Sequence, residues 1–227
     1  MAELTPMKRQ YYEIKQRNPD CLLFFRLGDF YEMFDDDARL AARELDLTLT
    51  TRDRNVEDPA ERTPMCGVPY HSAEAYIGRL IAKGYKVAIC EQMEDPAQAK
   101  GLVRREIIRK ITPGTVLESS MLEEGKNNFI GAVYLDTRGA GVCFCDISTG
   151  EVFGTQLPGS EVEQELESEL GRFSPRELLL SDGAYSREGL LAFAKDRLNA
   201  YVERAGEWRY QLENAREAVL ASSKNIS

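Results

Sequence analysis

The sequence predicts an α/β protein of two successive domains: a mixed-sheet domain over residues 1–115 and a second α/β domain over residues 128–227, with a linker at 116–127. Three observations carry this. Short apolar runs bounded by turn residues alternate with stretches of helical periodicity, which is the pattern of sheets with helices packed on them. The stretch from Pro113-Gly114 through Glu118-Ser119-Ser120 to Glu123-Glu124-Gly125-Lys126 is hydrophilic and aperiodic, so it divides the chain. Charge divides there too, because residues 1–115 carry 18 Lys and Arg against 19 Asp and Glu, and the rest carries 11 against 19.

In the first domain, Thr5 to Arg17 reads as an amphipathic helix and Asn18-Pro19-Asp20 as a turn. Cys21 to Leu27 is an apolar run of strand length, punctuated by Gly28-Asp29. Asp29 and Glu32 then satisfy the capping-box spacing. Phe30, Phe34, Ala38, Ala41, Ala42 and Leu45 fall near one face of a 3.6-residue period, so the local pattern predicts a helix from Phe30 to about Glu44. Leu47 to Arg52, rich in Thr, predicts a strand, and Asp53 to Arg62 a polar loop. Met65 to Val68 predicts a strand, and Ser72 opens a helix to Lys83 that Gly84 ends. Strands at Tyr85 to Gln92 and Leu102 to Ile111 complete the sheet.

The second domain opens with three strands, Phe129 to Asp136, Gly141 to Asp146 and Glu151 to Gln156, whose joints are short enough for antiparallel hairpins. A helix (Glu161 to Leu170), a strand (Glu177 to Ser181), a helix (Ser186 to Ala194), a strand (Asn199 to Glu203) and a last helix (about Tyr210 to Ala221) follow. Three antiparallel strands followed by helix, strand, helix, strand and helix is the element order of a ribonuclease-H-like α/β domain.

Composition removes several classes of function. A chain of 227 residues is long enough to bury two cores. No apolar run approaches the ~20 residues of a membrane helix, and Met1 to Arg17 lacks the apolar centre of a signal peptide. The expected compartment is the cytoplasm. Cys21, Cys66, Cys90, Cys143 and Cys145 include no Cys-x-x-Cys pair, and His71 is the single histidine, so no zinc site is expected and the thiols read as buried and reduced. A net charge of −9 argues against a protein that coats nucleic acid by charge alone. Any such contact is expected in the nearly neutral first half, with the acidic second half a scaffold or protein-docking module.

The most informative stretch is Gly28-Asp29-Phe30-Tyr31-Glu32-Met33-Phe34. If this turn faces a groove of DNA, Phe30 can act as a wedge between base pairs and Glu32 can reach a base edge. The alternative reading of the same residues is the capped helix, with Phe30 in the core.

Thr5-Pro6-Met7, Leu27-Gly28-Asp29-Phe30-Tyr31-Glu32, Leu45 to Thr51, Pro64-Met65-Cys66-Gly67-Val68-Pro69-Tyr70-His71, Val87-Ala88-Ile89-Cys90-Glu91-Gln92 and Thr112-Pro113-Gly114-Thr115 occur in an order and spacing that resembles the start of the bacterial MutS family of DNA mismatch-recognition proteins. The likeness covers almost the whole chain and is strongest through residue 150. It implies that the first domain recognises mismatched double-stranded DNA, with Phe30 stacking on a mispaired or unpaired base and Glu32 hydrogen-bonding to it. Protonated, Glu32 would donate to a purine N7; ionised, it would accept from an imino N–H. The resemblance also places Arg52, Met65, Tyr70 and His71 near the duplex, each with an ordinary packing or solvated reading beside it. Arg104, Arg105, Arg109 and Lys110 form the densest basic run and read as mostly solvated, since side chains on a strand point both ways. The physics of such recognition is economical: a mispaired step resists opening less than a paired one, so discrimination comes mainly from the DNA.

The resemblance further implies that the second domain is the family's connector, which docks a MutL-like protein. ATP and Mg belong in the family to segments that follow the region seen here. The nearest match to a phosphate-gripping Gly-x-x-x-x-Gly-Lys-Ser/Thr motif, at Gly154 to Ser160, has Ser where the Lys should be. No cofactor, no enzymatic activity and no homodimerisation are therefore expected of these residues. Two alternatives remain: an interaction or relay module without DNA binding of its own, and a ribonuclease-H-like nuclease holding two metals on Asp136, Asp182 and one of Glu161, Glu163 or Glu165.

Overall fold

A computed structural model describes residues 4–53, 56, 58, 62–95, 101–122 and 124–223, of which 222 and 223 by backbone alone. The chain divides into two compact units, Met1–Thr112 and Pro113–Ser227. The strands of each pair into a five-stranded mixed sheet.

In the first unit, α1 (Pro6–Gln16) is capped by Thr5, whose hydroxyl accepts the Lys8 N–H. The sheet runs β3 (Met65–Pro69), β2 (Phe30–Phe34), β1 (Cys21–Leu27), β4 (Lys86–Gln92), β5 (Arg105–Ile111), with only β1 and β4 parallel. Tyr11 of α1 packs on Phe25 and Phe34 from one side. On the other side α2 (Asp35–Leu45) and α3 (Ala73–Ala82) bury Ala38, Ala41, Leu45 and Leu80. Apolar residues on both faces of β1 explain its unbroken hydrophobic run.

The helix expected from Phe30 begins five residues later. Gly28, at φ +60°, closes a two-residue hairpin that a side chain would strain, and β2 returns alongside β1 with Leu27 opposite Phe30 and Phe25 opposite Glu32. β3 pairs with all five residues of β2 from the other side. Two flanking strands satisfy more backbone groups than a capping box can, and the aromatic-rich Phe-Tyr-Glu-Met-Phe suits a pleated surface. Asp35, at φ +52°, ends the strand, and Asp35, Asp36 and Asp37 sit in the first turn of α2, where negative charge faces the helix dipole favourably.

The strand expected over Leu47 to Arg52 reduces to a single bridge, in which Thr50 and Met65 exchange N–H to carbonyl bonds of 2.7 Å. Beyond it, ion pairs from Arg52 to Glu32 and from Lys8 to Asp53 draw the chain off the strand line. Of the expected loop over Asp53 to Arg62, residues 54, 55, 57 and 59–61 lie outside the described residues.

Asp53 accepts from the Lys8 ammonium at 2.7 and 2.8 Å and from the Thr63 N–H at 3.0 Å. These bonds, that of Lys8 foremost, hold its carboxyl at about 2 against an ordinary 3.8. A lowered carboxyl stabilises the fold fully above the unfolded value, and this contribution is lost as pH falls through the folded one. Asp53→Asn is therefore expected to flatten the fall in stability between about pH 4 and pH 2, and to leave the profile above about pH 5 parallel to that of the parent. Urea midpoints measured across that range check it.

In the second unit the sheet runs β8 (Glu151–Pro158), β7 (Gly139–Asp146), β6 (Phe129–Asp136), β9 (Glu177–Leu180), β10 (Tyr201–Arg204). β7 is antiparallel to both β6 and β8, and β9 and β10 run parallel to β6. This is the order and direction that the ribonuclease-H-like expectation requires. Leu166 and Leu170 of α4 (Glu163–Phe173) pack with Val133, Phe144, Leu178 and Leu180 in its core.

Where one helix is expected over Ser186 to Ala194, α5 (Asp182–Tyr185) ends just before it, and α6 (Glu188–Ala192) passes into a π turn at Phe193–Arg197. A 3₁₀ turn at Glu207–Tyr210 precedes α7 (Leu212–Ser223). Pro113 to Val116 join this unit: the Gly114 N–H donates to the Glu177 carboxylate at 2.9 Å, and Val116 is buried. All five cysteines are free thiols. Cys21, Cys66 and Cys90 are buried as expected, and burial pushes Cys66 and Cys90 up to about 12. Cys143 is exposed and Cys145 partly so, because they alternate with Val142 and Phe144, which point into the core. No helix among the described residues is long and apolar enough to cross a membrane.

Candidate nucleic-acid interface

Phe30 is the first residue of β2 and is 46% exposed, whereas the other four residues of the strand are buried. Glu32 lies two residues on, so the ring and the carboxylate share a face of the sheet about 7 Å apart along the strand. Opposite Glu32 stands Gly67. A Cβ there would lie 3.1 Å from the Tyr31 carbonyl and 3.4 Å from Glu32 Cγ, so the glycine keeps the floor beside the carboxylate clear. Arg52 reaches over this floor: its Nε–H donates to Glu32 Oε2 at 2.8 Å, and its Nη2–H donates to Oε1. Met65, opposite Phe34 on the same face, is half-buried against the Tyr11 cluster.

Tyr70 and His71 are placed elsewhere, in a 3₁₀ turn after β3. The Tyr70 ring lies 3.6 Å beneath the Arg26 guanidinium, and Arg26 stands opposite Tyr31, on the reverse face from Phe30 and Glu32. Arg26 and Tyr70 fasten the hairpin from behind, whereas His71 packs edge-on against the Tyr70 ring. The Arg26 Nε–H donates to the Gly28 carbonyl and the Tyr70 N–H to the Asp29 carbonyl at 2.9 Å. Glu91 of β4 accepts from Arg26 at 3.4 Å and from the Tyr31 hydroxyl. Burial and then Glu91 push the Tyr31 phenol up to about 12, so it keeps the proton it donates.

Arg105 is also structural. It is buried, donates to the Arg26 carbonyl at 2.7 Å and to Gln10 Oε1 at 3.0 Å, and packs over the Phe25 ring. Arg105, one of the basic run read as mostly solvated, is therefore not solvated. Sequence reasoning missed Arg26, Glu91 and Arg105 as supports. For Arg26 and Glu91 the available signal was a charge placed directly after an apolar run inside a strand, Cys-Leu-Leu-Phe-Phe before Arg26 and Val-Ala-Ile-Cys before Glu91.

Stacking a guanidinium on an aromatic ring contributes about 0.5–2 kcal/mol. Arg26→Ala is expected to loosen the turn rather than unfold the unit, raising the exchange rate of the Tyr70 amide about tenfold, with little change at the Leu23 amide. Hydrogen exchange resolved by residue measures both.

The carboxylates of the nuclease alternative are not brought together. Asp136 is held by the Arg138 guanidinium at 2.8 and 3.0 Å, Asp182 by Arg204 at 2.6 Å, and Glu163 pairs with Arg187 at 3.4 Å. Among the described residues no three Asp, Glu, His or Cys side chains converge as ligands for a metal ion. What the hairpin offers instead is an apolar ring with a hydrogen-bonding group beside it, at a braced strand end.

Residues 5–120 match the family model of MutS domain I, and residues 128–224 that of MutS domain II. The chain is 50% identical over 202 residues to the DNA mismatch repair protein MutS of Acetivibrio thermocellus, a match covering 89% of this chain and 23% of that protein. It is 46% identical over 213 residues to the MutS protein of Alkaliphilus oremlandii, covering 93% and 24%, and 52% identical over 181 residues to that of Syntrophomonas wolfei, covering 80% and 21%. The chain spans less than a quarter of the length of these relatives.

Proposed function

The chain belongs to the MutS family, whose domains I and II it carries, and on that premise we propose that its first unit recognises mispaired or unpaired bases in duplex DNA as part of mismatch repair. Phe30 is the wedge that stacks on the displaced base, and Glu32 is the hydrogen-bonding partner of that base. The observation that carries this reading is an aromatic ring left 46% exposed at the tip of a hairpin whose following residues are all buried. A phenyl ring has no polar atom to leave unsatisfied between bases, and stacking returns about 1–3 kcal/mol per base. A mismatched step opens for less than a paired one, so the same ring discriminates without knowing which mismatch it meets.

The acidic second unit is read as the docking and relay module of the family, with a MutL-like protein as its partner. ATP hydrolysis with Mg, and dimerisation, are assigned by the same reading to parts of the relatives outside this chain.

Fluorescence anisotropy at low salt tests the DNA reading, with one duplex carrying a G·T mismatch or an unpaired T and its matched counterpart. The expected result is tighter binding of the mismatched duplex that Phe30→Ala abolishes. Equal binding of both duplexes, indifferent to the substitution, would leave the first unit without a mismatch-reading role.

A further inference from the structure

Glu32 has a carboxylate that the proposed reading needs on a base, yet in the free chain both of its oxygens are taken by Arg52. The Glu32 side chain is only 9% exposed, whereas that of Arg52 is 47% exposed, so the guanidinium is the lid and the carboxylate lies under it. The backbone beneath the lid is anchored on both sides. Thr50 is bridged to Met65, and the Asp53 N–H donates to the Thr51 hydroxyl while the Asp53 carboxylate is tied to Lys8. Uncovering Glu32 is therefore a rotation of one side chain, with no departure of the segment that carries it.

We propose that Arg52 sets specificity by competing with the base for Glu32, a role that rests on the mismatch-reading function above. A base held in the stack of a matched duplex does not reach Glu32, so contact with such DNA leaves the fork closed. When Phe30 enters a mismatched step, the displaced base takes the carboxylate, and the guanidinium turns out into solvent. The fork's cost falls on the mismatched complex alone. Loss of a phosphate contact, by contrast, weakens both duplexes alike.

The ratio of the two dissociation constants separates these effects. Four proteins are compared by anisotropy on the matched and G·T duplexes: the parent chain, Arg52→Gln, Glu32→Gln and the double variant. Charge-assisted forks that are half exposed are worth about 1 kcal/mol, so Arg52→Gln is expected to raise the preference for the mismatch about fivefold. In the Glu32→Gln background the same change is expected to leave the preference unaltered. An equal loss on both duplexes in both backgrounds would reduce Arg52 to a phosphate contact and overturn the proposal. A fall in preference confined to chains with Glu32 would mean that the fork persists in the complex, and would overturn it too.

A spectroscopic readout is independent of affinity. The Arg52 Nε–H resonance, slowed in exchange by Glu32 in the free chain, is expected to lose that protection on adding mismatched DNA and to keep it with matched DNA. Protection retained with both duplexes overturns the proposal. If the parent chain shows no mismatch preference and Phe30→Ala changes nothing, the site reading itself fails. If Phe30→Ala abolishes a preference that Arg52→Gln does not alter, only the role of Arg52 fails.

Discussion

Phe30→Ala is expected to cut affinity for a mismatched duplex by about fivefold to 150-fold, the equivalent of the 1–3 kcal/mol that stacking on one base supplies. Its effect on matched DNA should be small, because a ring that does not enter the stack contributes little there. The same substitution is expected to cost the fold less than about 1 kcal/mol, since the ring is 46% exposed at a strand end. A buried phenylalanine lost to alanine costs about 3–5 kcal/mol. The two measurements together therefore separate the wedge from the core residue that the capping-box pattern suggests. Phe30→Leu sharpens the test: it keeps apolar bulk and removes the flat ring, so it should preserve stability and still lose most of the preference. A destabilisation above about 3 kcal/mol, with no ring-dependent change in DNA binding, would sink the wedge.

The largest effect on stability is expected from Asp37. This buried carboxylate accepts from the Lys15 ammonium at 2.9 Å, the Leu23 N–H at 3.0 Å and the Tyr11 hydroxyl at 3.3 Å. Leu23 lies beyond the last residue of β1 that pairs with β2, so its donor is served by a side chain from α2. Burial, and after it the charge of Asp37, hold the Tyr11 phenol far above its ordinary value, which keeps it a donor at any working pH. Asp37→Ala strands a buried N–H and leaves the half-buried Lys15 without its carboxylate partner. Together these cost the first unit about 3–5 kcal/mol. The single tryptophan, Trp208, lies in the second unit. In urea its fluorescence transition is thus expected to stay in place while part of the far-ultraviolet circular dichroism transition moves to lower denaturant. Coincident transitions unchanged from the parent would contradict this role.

The neighbourhood of Phe30 shows how far the residues could be read in order. Cys21 to Leu27 is a strand on apolar content alone, and Gly28-Asp29 marks its end in any context. Residues 30–34 are ambiguous locally, because the spacing of Asp29 and Glu32 fits a helix cap and the aromatic alternation fits a strand. The decision falls to hydrogen bonds from β1 and β3, and β3 lies more than thirty residues away in sequence. Leu47 to Arg52 failed in the opposite direction. Its threonines favour a strand, but ion pairs to Glu32 and Lys8 outweigh a weak local preference.

The chain by itself determined the two α/β units, the strand order of the second and the family, and it singled out Phe30 and Glu32 as candidates. These follow from periodicity, turn chemistry and collinear motifs, all local or nearly so. Only the tertiary structure decided that Phe30 stands exposed at a braced hairpin tip, that Glu32 lies under Arg52, and that Arg26, Tyr70 and Glu91 fasten the turn from behind. Those arrangements depend on which side chains meet across strands distant in sequence, where the free energy of a buried charge or an unpaired N–H exceeds any preference that neighbouring residues express.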